Sequence, residues 1–82
     1  MFDASAVVAG LDVHKSSTRV VAVQGDRLVW EGTVASDPPV VEAALRRVGV
    51  VACCYEAGPT GFGLVRHLSA VGLRCDVVAP GL

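Results

Sequence analysis

The sequence predicts an α/β fold: a mixed five-stranded sheet with two helices on it. Three observations carry that reading. Three β-branched apolar runs follow one another through short polar turns near the N-terminus. Two stretches with helical spacing come next, and each is followed by one more apolar run.

The elements can be justified in order. "AVVAGLDV" (6–13) is a short Val-rich run with the character of a buried strand. "TRVVAVQ" (18–24) follows a small polar turn, and "RLVWEGTV" (27–34) follows Gly25-Asp26. Asp and Gly in a two-residue connection are hairpin chemistry, because the tight turn requires positive φ. "SDPP" (36–39) offers Ser36 or Asp37 as a helix N-cap, with proline where a first turn tolerates it. Val40, Val41, Ala44, Leu45 and Val48 then recur at helical spacing, Arg46 and Arg47 suit the negative C-terminal end, and Gly49 ends the helix. "VVACCYE" (50–56) returns to strand and breaks at the "GPTG" turn. From Thr60, the residues Phe62, Val65, Leu68 and Val71 mark a second helix closed by Gly72, and "RCDVVAP" (74–80) is a last strand stopped by Pro80. A β-β-β-α-β-α-β order with right-handed crossovers places the fourth strand beside the first and the fifth outside the fourth. The sheet order is then 3-2-1-4-5, with only the second strand antiparallel. This is the ribonuclease H-like layout.

Composition narrows what such a domain can be. A chain of 82 residues is one small domain, and folding buries only about 60–65% of its unfolded surface. A hydrophobic fraction of 52% and a mean hydropathy of +0.56 are high for that size. The excess predicts apolar surface meant for something beyond this fold. Net charge is −1 and the isoelectric point about 6.0, so no basic footprint announces nucleic acid. No segment reaches the roughly 18 apolar residues of a membrane span. The N-terminus carries Asp3 where a signal peptide would be basic, so a cytoplasmic home is expected. Cys53, Cys54 and Cys75 have neither the number nor the spacing of a disulfide framework or zinc site. Adjacent strand residues point to opposite faces, so Cys53 and Cys54 cannot line one pocket; the three read as reduced, small hydrophobes.

The chemistry concentrates on two acids. Asp12 in "VVAGLDVHK" and Glu56 in "CCYEAGPTG" each end an apolar run. With the first and fourth strands parallel and adjacent, both acids emerge side by side at the carboxyl edge, where open α/β sheets place ligands. Paired carboxylates there repel unless a cation lies between them, and oxygen ligands of this kind suit Mg²⁺ or Mn²⁺. Divalent ions so held can clamp the attacking and leaving oxygens of a phosphodiester. Two acids that merely end turns in solvent would give the same letters; the matching strand ends in this layout favour a site.

The wording of two blocks goes further. "GLDVHKSSTRVVAV" and "YEAGPTGFGLVRHLSAVGLRCDVVAPGL" resemble the N-terminal domain of the DEDD, or RuvC-like, transposases of bacterial insertion sequences, the IS-110 group. The resemblance covers nearly the whole chain and makes residues 1–82 the N-terminal part of a ribonuclease H-like catalytic domain. It implies metal-dependent DNA cleavage and strand transfer in the full-length protein, by four acids in the order Asp, Glu, Asp, Asp. Asp12 matches the first and Glu56 the second. The final two, and a separate domain with a catalytic serine, have no counterpart in this sequence. In that family a structured guide RNA can direct recombination, and nothing in these residues points to RNA binding.

Other residues carry less. His14 and Lys15 follow Asp12 and could approach a phosphate, or stand as ordinary turn residues in solvent. Thr60 and Gly61 open a helix whose free N–H groups could take a phosphate, as any helix start could. Arg66 and His67 are expected to face solvent, and Trp30 to pack rather than stack. Two further readings remain open: a sugar-kinase or actin-type ATP-binding domain, although "HKSST" lacks the glycine of its phosphate hairpin, and a non-catalytic interaction module. With only two of the four acids, the chain alone is expected to be inactive. Right-handed crossovers put both helices on one face, so the other apolar face predicts self-association, most simply as a two-fold dimer.

Overall fold

A computed structural model describes residues 5–56 and 62–78. It shows the seven expected elements: β1 (Val7–Val13), β2 (Ser17–Gln24), β3 (Arg27–Ala35), α1 (Pro38–Val48), β4 (Val50–Glu56), α2 (Phe62–Ala70) and β5 (Arg74–Val78). They form one five-stranded sheet ordered β3-β2-β1-β4-β5. β2 runs antiparallel to both β1 and β3, whereas β1–β4 and β4–β5 are parallel. The "GPTG" turn, Thr60, Gly61 and the residues after Val78 lie outside the described residues.

Local chemistry explains the joints. Gly25 has φ of 63° and takes the first position of the β2–β3 turn, where positive φ matches the twist of the strands. Asp37 is the N-cap of α1 with prolines in the first turn, although its side chain makes no capping hydrogen bond; the helix begins on proline geometry. Arg46 and Arg47 occupy the last turn, and Gly49 closes α1 in the left-handed conformation. Two bulges adjust the ladders, one at the start of β1–β4 and one between Ala22 and Val23 on the β2–β3 side. The first leaves Val51 opposite no residue of β1 and 47% exposed, so Val50 and Cys53 both reach the core.

Both helices cover one face. Val41 and Leu45 of α1, with Leu64 and Leu68 of α2, join Ala9, Leu11, Val20, Ala22, Cys53 and Tyr55 in a single core. Leu64 is a member that three-residue spacing along α2 passes over; with Leu68 it forms the i, i+4 pair that faces the sheet. Val40, by contrast, is 41% exposed although it belongs to the helical stripe of α1. Trp30 is half-buried and packs against the core, and its ring lies so close over Gly32 that an added Cβ would stand 2.5 Å from it. Arg66 is exposed, as expected, but His67 is not simply solvated. Its Nε2 lies 2.8 Å from Oε1 of Glu42, and Arg46 Nε donates to the other oxygen of that carboxylate at 2.9 Å. Arg46 also donates to the Val71 carbonyl at 2.8 Å, so this small network ties α1 to α2.

Candidate functional site

The pleat decides which side chains meet at the carboxyl edge. In the parallel β1–β4 ladder Gly10 is level with Cys54 and Leu11 with Tyr55, which puts Asp12 and Glu56 at the next step. Leu11 and Tyr55 are buried under the helices, so their neighbours Asp12 and Glu56 turn to the opposite, open face, where both are exposed. The two acids line one hollow of about 360 Å³ together with Gly10, Val21, Cys54 and Arg19. The structure therefore brings together the two residues that sequence reasoning paired.

Arg19 is a member of the hollow that sequence reasoning missed. It is the antiparallel register partner of Asp12, which puts a cation on the same face one strand away. Its guanidinium pairs with Glu31 and reaches Thr33 Oγ1 at 3.4 Å, both on β3. The signal was available in principle: once the β1–β2 turn is placed, hairpin register puts residue 19 opposite residue 12. Gly10 in the floor of the hollow presents no side chain, and nothing lies within 4 Å of where its Cβ would be.

His14 and Lys15 are divided between two environments. Nε2 of His14 lies 3.2 Å from Oδ2 of Asp12, an exposed pair at the end of β1. Both His14 and Lys15 also border a second hollow on the helix side of the edge, with Ser36, Pro38, Gly63 and Leu64. This second hollow, not the acid pair, is where Lys15 sits, beside the first turn of α2. Its wall is held by a relay of hydroxyls: Thr18 Oγ1 donates to Ser36 Oγ at 2.8 Å, and Ser36 Oγ donates to the His14 carbonyl at 2.7 Å. Thr18 is fully buried, and the relay satisfies its hydroxyl while fixing the β1–β2 turn against the β3–α1 connection.

As a cation site the edge is partial. Two exposed carboxylates on one face are the oxygen donors a hard divalent ion prefers, but among the described residues no group of three or more His, Cys, Asp or Glu converges as a metal cage. Arg19 lines the same hollow, with its guanidinium held by Glu31 on β3.

Comparison with known proteins adds ancestry. No family model matches the chain. It is 28% identical over 81 residues to the transposase for insertion sequence element IS1533 of Leptospira borgpetersenii, a match covering 92% of this chain and 23% of that protein. It is 36% identical over 81 residues to a protein of Sinorhizobium fredii (strain NBRC 101917 / NGR234) that carries a transposase name, y4qE, covering 89% of this chain and 20% of that one. The chain thus spans about a fifth of the length of the curated relatives it matches. Among solved structures it resembles a Bacteroides thetaiotaomicron protein with an actin-like ATPase fold and unknown function, at a TM-score of 0.69 and 7% identity, over 90% of this chain and 33% of that one. At that identity the likeness concerns the fold alone. The homologues are named transposases, and the sheet order is that of the ribonuclease H-like and actin-like folds.

Proposed function

We propose that residues 1–82 form the N-terminal part of a ribonuclease H-like, RuvC-like catalytic domain of a DEDD transposase of the IS-110 group. In this reading Asp12 and Glu56 are its first two acids. The observation that carries it is their placement: both end adjacent parallel strands, turn to the same open face and line one hollow. Transposase homologues matched over about nine-tenths of the chain support the same ancestry. In the longer protein the substrate would be DNA, with Asp12 and Glu56 holding Mg²⁺ or Mn²⁺ alongside acids from elsewhere in the chain. A divalent cation bound there would stabilise the charge that develops on a phosphodiester during cleavage and strand transfer. His14 orients the Asp12 carboxylate from 3.2 Å, and Lys15 borders the second strand-end hollow, where a phosphate could approach. A guide RNA, in relatives that use one, would be read by surfaces other than this one, whose net charge is −1. The fold likeness to an actin-like ATPase does not favour nucleotide binding, because the β1–β2 connection, His14-Lys15-Ser16, has no glycine with which to wrap a phosphate.

Mn²⁺ titration followed by NMR tests the site. Paramagnetic broadening should centre on residues 10–14, 19 and 54–56, with weak affinity, and should vanish in Asp12→Asn combined with Glu56→Gln. Broadening centred elsewhere, or unchanged in the double variant, overturns the assignment. By itself the 82-residue chain is expected to cleave no DNA; metal-dependent cleavage that is lost in Asp12→Asn would refute that expectation.

The open face carries the second half of the proposal, a two-fold dimer. Val8, Val21, Val23 and Leu28 form its apolar part, and Leu28 is 58% exposed. Sedimentation should show self-association at high micromolar concentration that Val23→Lys abolishes. A clean monomer under those conditions removes the dimer and leaves the acid pair untouched.

A further inference from the structure

The pleat also sorts the three cysteines. Cys54 is exposed on the open face, whereas Cys53 is buried in the core beneath the helices and Cys75 packs half-buried against it. Cys53 and Cys75 are register partners in the parallel β4–β5 ladder. Sequence spacing conceals this, because the crossover through α2 separates them in the chain. Sγ of Cys53 donates to the Arg74 carbonyl at 3.5 Å, so the thiol leans across the gap toward the peptide that carries Cys75. Each thiol also shapes the acidity of the other. The neighbouring Cys75 sulfur, with burial behind it, pushes the Cys53 thiol up, while Cys53 beside it holds Cys75 below the ordinary thiol range. Cys75, the less buried of the two, stands on the outer strand with the buried Cys53 thiol level with it in the ladder.

We propose that Cys53 and Cys75 are an oxidative modification site, closed reversibly into a disulfide across β4 and β5 by a hydroperoxide or a low-molecular-weight disulfide. The spacing permits it: neighbouring strands run about 4.8 Å apart, inside the range of roughly 4.4–6.8 Å that disulfides span between Cα atoms. Paired side chains in a ladder stand somewhat farther apart at Cβ than the ~3.8 Å a relaxed disulfide has, so closure must draw β5 inward. Among the described residues β5 is the outermost strand and pairs with β4 alone. A bond formed under that strain is readily reduced, which is the character of a regulatory disulfide rather than a structural one.

The chemistry balances in two steps. The Cys75 thiolate attacks one sulfur of glutathione disulfide, forming a mixed disulfide and releasing a glutathione thiolate. The Cys53 sulfur then attacks the Cys75 sulfur, its proton passing to the departing second glutathione. The two protein thiols are oxidised by two electrons and glutathione disulfide is reduced to two thiols. With a hydroperoxide, Cys75 passes through the sulfenic acid, and the oxygen leaves as water when Cys53 closes the bond.

The test uses the whole chain carrying Cys54→Ser, which removes the exposed competitor without touching the core. After exposure to glutathione disulfide the protein should lose the mass of two hydrogens, peptide mapping should link residues 53 and 75, and dithiothreitol should restore two alkylatable thiols. Adding Cys53→Ala should stop the reaction at Cys75 bearing glutathione. Two thiols that stay fully alkylatable after oxidation, or Cys75 held as the mixed disulfide while Cys53 is present, overturn the proposal.

Discussion

The two faces of the sheet are made by the same strands and differ in almost everything else. On the helix side Ala9, Leu11, Val20, Ala22, Cys53 and Tyr55 form a continuous buried layer. On the open side the alternate residues are Val8, Gly10 and Asp12 of β1, Arg19, Val21 and Val23 of β2, and Cys54 and Glu56 of β4. That side grades from apolar near the strand starts to charged at the carboxyl edge, where Asp12, Arg19 and Glu56 share a hollow. A face whose only task was to meet water would be polar throughout, as in one-sided antiparallel sheets. The gradient leaves an apolar end near the strand starts and a charged end at the carboxyl edge.

The largest effect expected from this difference is on stability. Leu45→Ala or Leu68→Ala removes a fully buried side chain and should cost about 2–5 kcal/mol. That approaches the whole stability of so small a domain, roughly 0.05–0.15 kcal/mol per residue. Val21→Ala on the open face should cost less than about 1 kcal/mol in dilute solution. Denaturant titration at two protein concentrations sharpens the comparison. A Val21→Ala cost that grows with concentration marks a second copy on that face, and a cost equal to Leu45→Ala at all concentrations breaks the distinction between the faces.

An intermediate effect is expected at Gly32, on the helix side near the free β3 edge. A Cβ there would meet the Trp30 ring at 2.5 Å. The ring atoms it strikes are the far end of the side chain, so Gly32→Ala should swing the indole outward rather than break the strand. The stability cost should be about 1–3 kcal/mol. Trp30 is the only tryptophan in the chain, so its emission should shift to the red. Unchanged emission would show that the β3 edge gives way instead.

The legibility of the molecule follows the same division. Strand order was readable because two crossovers of one hand leave few arrangements, and β-branched runs with Gly and Pro punctuation set the element ends. Asp12 and Glu56 were readable because each sits at the end of its own run. What depended on register was not. Arg19 opposite Asp12, Cys53 opposite Cys75 and the bulge at Val51 all require counting across a ladder, and a one-residue slip reverses every face. The pairing of His67 with Glu42 was hidden for another reason: it joins two helices that no local period relates. The amphipathic reading of α1 predicted Val40 inside, but the helix ends its buried stripe at Val41 and leaves Val40 beside Val29, Trp30 and Arg47 on the flank.

That helix–helix tie should give the smallest effect, and one visible only in its pH dependence. The hydrogen bond from Arg46, followed by that from His67, holds the Glu42 carboxyl below its ordinary value of 4.5. A carboxyl whose folded-state pKa is depressed stabilises the fold at pH values above its unfolded pKa, and this contribution disappears as pH falls through the folded value. Glu42→Gln should therefore lower the thermal midpoint slightly at neutral pH. The gap between wild type and variant should begin to close once pH drops below the usual carboxylate range, and vanish at more acid pH. Val21 on the open face lies outside this network and carries no titrating group, so Val21→Ala should keep the wild-type acid profile. A wild-type-to-Gln gap that stays constant from neutral to acid pH would mean that Glu42 contributes packing alone, and that α1 and α2 are held together by Leu45, Leu68 and their neighbours without help from charge.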